Sequence, residues 1–156
     1  MFLSTFEKQL DQKRRIVVPV DFRALASGPF DGVFCFPSIE ADCLEGGGLA
    51  LFDQYKSLID ELSFGDPLRT ALETVVLGGM NRLSFDTAGR ITLPEDLCDA
   101  FGLTQDVVLV GLGDRFQIWE RGAFHAHREN ARKSARQGLA ALREAQRLTR
   151  TGGGAG

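Results

Sequence analysis

Three cysteines, two histidines, one tyrosine and one tryptophan are all that this 156-residue chain holds of the side chains most often used for chemistry. Cys35, Cys43 and Cys98 are odd in number and form no Cys-x-x-Cys pair, which favours reduced thiols in a cytoplasmic protein over a disulfide framework. His125 and His127 stand two apart, a spacing that shares no helical face, and no carboxylate–cysteine set accompanies them, so no metal site is expected. The glycines at 46–48 and 111–113 are followed by no Gly-Lys-Ser/Thr, and a dinucleotide fingerprint fails because position 116 is Phe. No nucleophile–base set, pair of catalytic carboxylates or cofactor loop stands out, so the expectation is a non-enzyme with no cofactor. No stretch reaches the roughly 18 uncharged apolar residues that a membrane span needs. The first eight residues lack a charged start followed by an apolar run, so no secretory signal is expected either.

Net positive charge is also lacking. The formal charge is −3, which argues against a general nucleic-acid coat. The distribution is uneven, however. Residues 1–127 carry 11 basic and 19 acidic side chains, whereas residues 128–156 carry 7 and 2. Within the acidic part, Lys8, Lys13, Arg14 and Arg15 crowd into eight positions, so a polyanion would have to meet a local patch and not the average surface.

What the chain does have is a motif used twice. Asp11-Gln12-Lys13-Arg14-Arg15-Ile16-Val17-Val18-Pro19-Val20-Asp21 is echoed 75 positions later by Asp86-Thr87-Ala88-Gly89-Arg90-Ile91-Thr92-Leu93-Pro94-Glu95-Asp96. Asp, Arg, Ile, Pro and Asp recur in register, the mark of one structural unit used twice. The 44% apolar fraction supports a packed core, and units of about 70 residues would be marginal alone, so the two are expected to share one.

Each copy follows the same plan. A strand leads into an Asp-x-x-x-Arg turn, a β-branched strand leaves it (Ile16–Val18, Ile91–Leu93), and Pro19 or Pro94 opens a short helix anchored by Phe22 and Leu25 or by Leu97 and Phe101. Two further strands follow: Val33–Phe36 and Leu49–Phe52 in the first copy, Val107–Val110 and Phe116–Trp119 in the second. The first copy places a loop, Pro37–Gly48, between them. Helix is expected between the copies, capped by Asp53 over Tyr55, Leu58, Ile59 and Leu62, then by Asp66-Pro67 over Leu68, Leu72, Val75 and Val76, and stopped at Gly78-Gly79. Phe34, Phe36, Phe85 and Phe116 sit at strand spacing and are assigned to the core.

The turn itself has a physical logic. An Asp ending a strand accepts hydrogen bonds from the backbone N–H groups just after it, and an Arg four residues on can reach back to its carboxylate. Gly89 supplies the positive φ that such a turn needs. Asp11, Asp86 and Gly89 are therefore assigned to bracing the turns. Gln12, Lys13 and Arg14 would face outward from the first tip, Thr87 and Ala88 from the second.

At these residues the chain closely resembles the MraZ family, bacterial transcription regulators built from two AbrB/SpoVT-like units. The likeness covers residues 1 to about 125 and rests on both Asp/Arg pairs, the strand–Pro segments, and the run from Val107 to Trp119. It implies an α+β fold, mostly β with short helices: a duplicated swapped-hairpin β-barrel with pseudo-twofold symmetry inside one chain, followed by a C-terminal helix. It also implies ring-shaped homo-oligomers that bind direct repeats in double-stranded promoter DNA upstream of their own gene, at the head of the division and cell-wall cluster. Such a protein would be cytoplasmic and nucleoid-associated, with no membrane partner. Carried over by position, the DNA-binding residues are Lys13, Arg14, Arg15 and Arg90. The chain departs from the family pattern where Arg14 replaces a glycine, and where Thr87-Ala88 lacks a lysine. The two tips are thus expected to contribute unequally, with the first dominating.

The implied organisation is a first unit over 1–62, a connecting helix over 63–79, a second unit over 80–125, and a basic helix with a glycine-rich, disordered end over 126–156. Two readings of the basic segment stay open: a solvated helix face supported by Glu129–Lys133, or a tail attracting phosphate. Glu7, Lys8 and Arg82, on the strands feeding the tips, are assigned to solvent. A module that binds a peptide partner as an antitoxin does, without specific DNA binding, is the alternative function.

Overall fold

The computed structural model describes residues 1–26 and 28–153. The chain divides into a body, Met1–Arg121, and a second unit, Gly122–Gly156. In chain order the body contains β1 (Thr5–Gln9), β2 (Arg15–Val17), α1 (Val20–Ala26), β3 (Gly32–Pro37), β4 (Leu44–Gly47), α2 (Leu49–Asp60), α3 (Pro67–Leu72) and a π-helical turn (Glu73–Leu77). It continues with β5 (Asn81–Ser84), β6 (Arg90–Thr92), α4 (Glu95–Phe101), β7 (Asp106–Gly111) and β8 (Phe116–Glu120), and α5 (Arg121–Gly153) follows.

The strand pairing is antiparallel and crosses between the copies. Six strands run in the order β1-β7-β8-β4-β3-β5, and β2 pairs with β6 in a separate two-stranded sheet. The strand that enters each tip is thus hydrogen-bonded to the other copy: β1 to β7, and β5 to β3. This exchange is the swapped hairpin. No ladder joins β1 to β5, so the barrel is left unclosed.

The register locates the internal axis. In the β2–β6 ladder, Ile16 stands opposite Ile91, its own counterpart 75 positions on, with Arg15 opposite Thr92 and Val17 opposite Arg90. The β4–β8 ladder has the same form, with Glu45 opposite Gln117 and flanking pairs Leu44–Ile118 and Gly46–Phe116. A residue can face its own equivalent only where a twofold axis passes between the two. The pseudo-twofold axis therefore runs through both ladders.

One core serves both copies, as their size requires. Ile16, Val18 and Phe22 from the first copy are buried in one cluster with Ile91, Leu93, Leu97, Phe116 and Ile118 from the second. Phe22 sits at its aromatic centre, with ring centroids 5.2 Å from Phe2, 5.4 Å from Phe6 and 5.3 Å from Phe116. A smaller cluster of Phe36, Leu51 and Val76 lies beneath α2 and the π turn. Phe34 and Phe85 are only partly buried. The three cysteines are free and buried, and burial pushes the thiols of Cys35 and Cys43 up to about 12.

Three expectations give way between Pro37 and Asp53. Leu49–Phe52 is the first turn of α2 and not a strand, and the strand lies earlier, at Leu44–Gly47. The helical spacing Leu51, Tyr55, Ile59 outruns the short apolar run, and Gly48, not Asp53, is the N-cap. The glycines read as a loop line the sheet because its neighbours leave no room for side chains. A Cβ on Gly46 would stand 2.5 Å from the Phe116 ring, and one on Gly47 2.8 Å from Leu51. The next helix starts as expected, with Pro67 in its first turn and Asp66 Oδ1 accepting from Leu68 N at 2.9 Å. The π turn then shifts the register, burying Val76 and leaving Val75 exposed, before Gly78 caps it.

In the second unit, α5 continues to Gly153, past the point at which the glycine-rich end was expected to begin, and residues 154–156 lie outside the described ones. Glu129 and Lys133 form no ion pair, whereas Arg147 pairs with Glu144. Leu139, Leu142 and Leu148 are exposed.

Because Ile16 and Ile91 meet on the axis and both are fully buried, Ile16→Ala and Ile91→Ala should each destabilise the protein by about 2–5 kcal/mol. As direct neighbours they should combine non-additively. Urea unfolding of the single and double variants at fixed protein concentration checks this; losses under about 1 kcal/mol would contradict a shared core.

Candidate nucleic-acid interface

The two tips are built from the same set of hydrogen bonds. In the first, Asp11 Oδ1 accepts from Lys13 N at 2.9 Å and Arg15 N at 2.8 Å, while Oδ2 accepts from Arg15 Nε at 2.6 Å. In the second, Asp86 Oδ1 accepts from Ala88 N at 3.0 Å and Arg90 N at 2.8 Å, while Oδ2 accepts from Arg90 Nε at 2.7 Å. The backbone closes each turn alike: Asp11 N donates to Arg15 O at 3.0 Å and Asp86 N to Arg90 O at 2.9 Å. One carboxylate thus satisfies two backbone donors and fixes its arginine's stem.

Both turns need a left-handed residue at the same place, with φ 60° at Arg14 and 75° at Gly89. For arginine that backbone costs about 1–2 kcal/mol. Part is offset where Arg14 Nε donates to Leu93 O at 3.1 Å. Each tip is also tied to the other copy, since Val18 N donates to Gly89 O at 3.1 Å and Leu93 N to Arg14 O at 2.8 Å. The tips therefore flank the β2–β6 ladder. A twofold rotation preserves height along its axis, so the two tips lie at one level.

The sequence-nominated residues occupy three different situations. Lys13 is exposed, as are Gln12, Thr87 and Ala88. Arg15 and Arg90 are equivalent, each side chain 31% exposed and engaged through Nε with its aspartate. Their terminal nitrogens, with four of the five guanidinium donors, find no hydrogen-bond partner among the described residues. Arg14, expected to face outward, lies back over Leu93.

Sequence reasoning missed one cation. Arg23, on α1 of the first copy, lays its guanidinium against Gly89 of the second tip, where an added Cβ would overlap it. Nothing local in the sequence signals this, because the contact crosses the repeat boundary.

A protein-family model described as "MraZ protein, putative antitoxin-like" matches twice, at residues 1–75 and 76–146. The chain belongs to the MraZ family. Proteins named transcriptional regulator MraZ are similar along nearly its whole length. That of Phenylobacterium zucineum is 77% identical over 150 residues, covering 96% of this chain and 94% of its own. That of Caulobacter vibrioides is 70% identical over 155 residues, covering 99% of each, and that of Parvibaculum lavamentivorans 38% over 158 residues, covering 99% and 98%. The two MraZ matches meet between residues 75 and 76, inside the π turn, so each match contains one Asp/Arg tip.

The aspartates of these MraZ tips should resist acid. The hydrogen bond from the Arg15 backbone holds the Asp11 carboxyl below the ordinary aspartate range, helped by the Arg15 side chain and opposed by burial, and Asp86 is held down in the same way by Arg90. A depressed folded-state value means that the bracing is complete above the ordinary aspartate value and is lost only as pH falls through the lower one. In a carboxyl-carbon NMR titration both residues should titrate below about 3.9, with the Arg15 and Arg90 amide signals moving at the same midpoint. A midpoint at or above the ordinary value would contradict the bracing.

Proposed function

We propose that this chain is a sequence-specific, DNA-binding transcriptional regulator without catalysis. It binds direct repeats in promoter DNA upstream of its own gene and the division and cell-wall cluster, and it works as a ring-shaped homo-oligomer in the cytoplasm, at the nucleoid. The regulatory role is supported by the relatives' names. The observation that carries the DNA reading is the matched pair of tips at one level on either side of the axis, each holding an arginine whose side chain is 31% exposed.

The aspartate takes each arginine by Nε and leaves its two terminal nitrogens without a hydrogen-bond partner among the described residues. That is the fork that reads guanine O6 and N7 or grips phosphate. Lys13, exposed at the first tip, supplies phosphate attraction. The acidic remainder of the body repels the duplex everywhere else, which confines the approach to the tips. A ring multiplies such small contacts over repeated sites, and avidity raises affinity beyond any one of them. This is how a protein of net charge −3 would hold DNA firmly.

Binding of a duplex carrying the chain's own upstream region, measured for Lys13→Ala, Arg15→Ala and Arg90→Ala over a series of salt concentrations, tests the proposal. Each lost phosphate contact should lower the log–log salt slope by about 0.9. Loss of a base-reading arginine should also cost about 1–3 kcal/mol of discrimination against a scrambled duplex. If all three variants match the parent, the tips are not the interface. The alternative, an antitoxin-like module binding a protein partner, has the family description in its favour. A gel shift with the upstream region that stays negative for the parent protein would select it.

A further inference from the structure

We propose that Arg23 is a DNA-contacting residue of the second tip, standing in for the guanidinium that Arg14 brings to the first. The inference rests on the DNA-binding reading above and extends it to a residue outside both turns.

The argument is one of symmetry broken twice in compensating ways. Under the 75-residue repeat, position 14 corresponds to 89, and position 23 to 98. At the first tip the turn residue is Arg14, whose Nε donates to Leu93 O, and the position on α4 that corresponds to Arg23 is held by Cys98. At the second tip the turn residue is Gly89 and the one facing it from α1 is Arg23, whose guanidinium fills the space that Gly89 leaves empty. Each tip therefore has one guanidinium at its root. One arrives from the turn, the other from the helix of the opposite copy.

Arg23 also lacks an internal reason to be charged there. Its Nε is buried without a hydrogen-bond partner, and among the described residues no carboxylate lies within ion-pair distance of it. Arg15, Arg69, Arg90 and Arg115 all have carboxylate partners. Keeping a half-buried cation whose Nε is buried unpartnered, and which has no carboxylate beside it among the described residues, is costly, and the cost falls away if an anion arrives from outside. At a tip that faces DNA, the anion is a backbone phosphate. On this view the second tip, which looked poor in charge by its own sequence, carries Arg90 and Arg23 together.

The test compares Arg23→Gln, Arg23→Cys and the exchange variant Arg23→Cys/Gly89→Arg with the parent and with Arg15→Ala, each titrated with the upstream duplex at several salt concentrations. Arg23→Gln and Arg23→Cys should lower the salt slope by about 0.9, so that a fourfold rise in salt weakens them about 3.5-fold less than the parent. The exchange variant rebuilds the first tip's arrangement at the second and should regain the parental slope. If Arg23→Gln keeps the parental slope, with affinity unchanged or reduced, while Arg15→Ala lowers it, Arg23 is structural and the inference fails with the DNA reading intact. If Arg15→Ala and Arg23→Gln both bind like the parent, the DNA reading itself fails. Should Arg23→Gln not fold, Arg23→Cys, which carries the residue found at the equivalent position 98, decides by the same rule: a slope lower by about 0.9 supports the inference and a parental slope overturns it.

Discussion

The short ladder between β2 and β6 is the contact on which the rest of the body depends. It contains only three residue pairs, and a two-stranded sheet of that size is marginal in water. Its stability comes from beneath, where Ile16, Val18, Ile91 and Leu93 are all almost fully buried. Because Val18 donates to Gly89 and Leu93 to Arg14, neither copy can complete its tip without the other. The same dependence recurs in the main sheet, where each entering strand finds its partner in the opposite copy. Two units this interleaved cannot fold or move separately, so the spacing of the tips is set by the core.

That rigidity bears on why an aspartate stands inside a cationic tip. A bare carboxylate there would oppose DNA, and as an exposed ion pair with arginine it would add little stability. Its value lies in the two backbone N–H groups that each aspartate satisfies. The negative charge is largely spent on those donors and on Nε, and the terminal nitrogens keep their reach. A tip fixed in this way loses less side-chain entropy when it meets a ligand than a free lysine or arginine would.

The duplication was legible in the sequence because the repeat keeps a constant offset through both turns, at Asp11/Asp86 and Arg15/Arg90, whereas the pseudo-twofold axis was implied only by the resemblance to the MraZ family. The Asp66-Pro67 start was legible because capping is local. Leu44–Gly47 was not, since glycine weakens a strand locally and is retained there only because Phe116 and Leu51 occupy the space its side chains would need. The left-handed backbone at Arg14 was visible only by analogy with Gly89. Arg23 was beyond reach for a further reason. Its meaning lies in a contact with a residue 66 positions away in the other copy, and neither periodicity nor motif records such a pairing.

The positions where the copies differ follow a rule that the axis imposes. A residue on a twofold axis faces its own counterpart, so an ionised side chain there would face a like charge across the ladder, which is destabilising. At the β4–β8 crossing the chain avoids this by making one member Glu45 and the other Gln117. Glu45 is fully buried and lies 2.6 Å from Arg115, while Gln117 accepts from Trp119 Nε1 at 2.9 Å. At the β2–β6 crossing the paired residues are both isoleucine, where identity costs nothing. Away from the axis, at 14/89 and 23/98, the copies are free to differ, and there the arginine stands in the turn of the first tip but on the helix packed against the turn of the second. The backbone is thus held symmetric by packing, and the charges are distributed as electrostatics at each point requires.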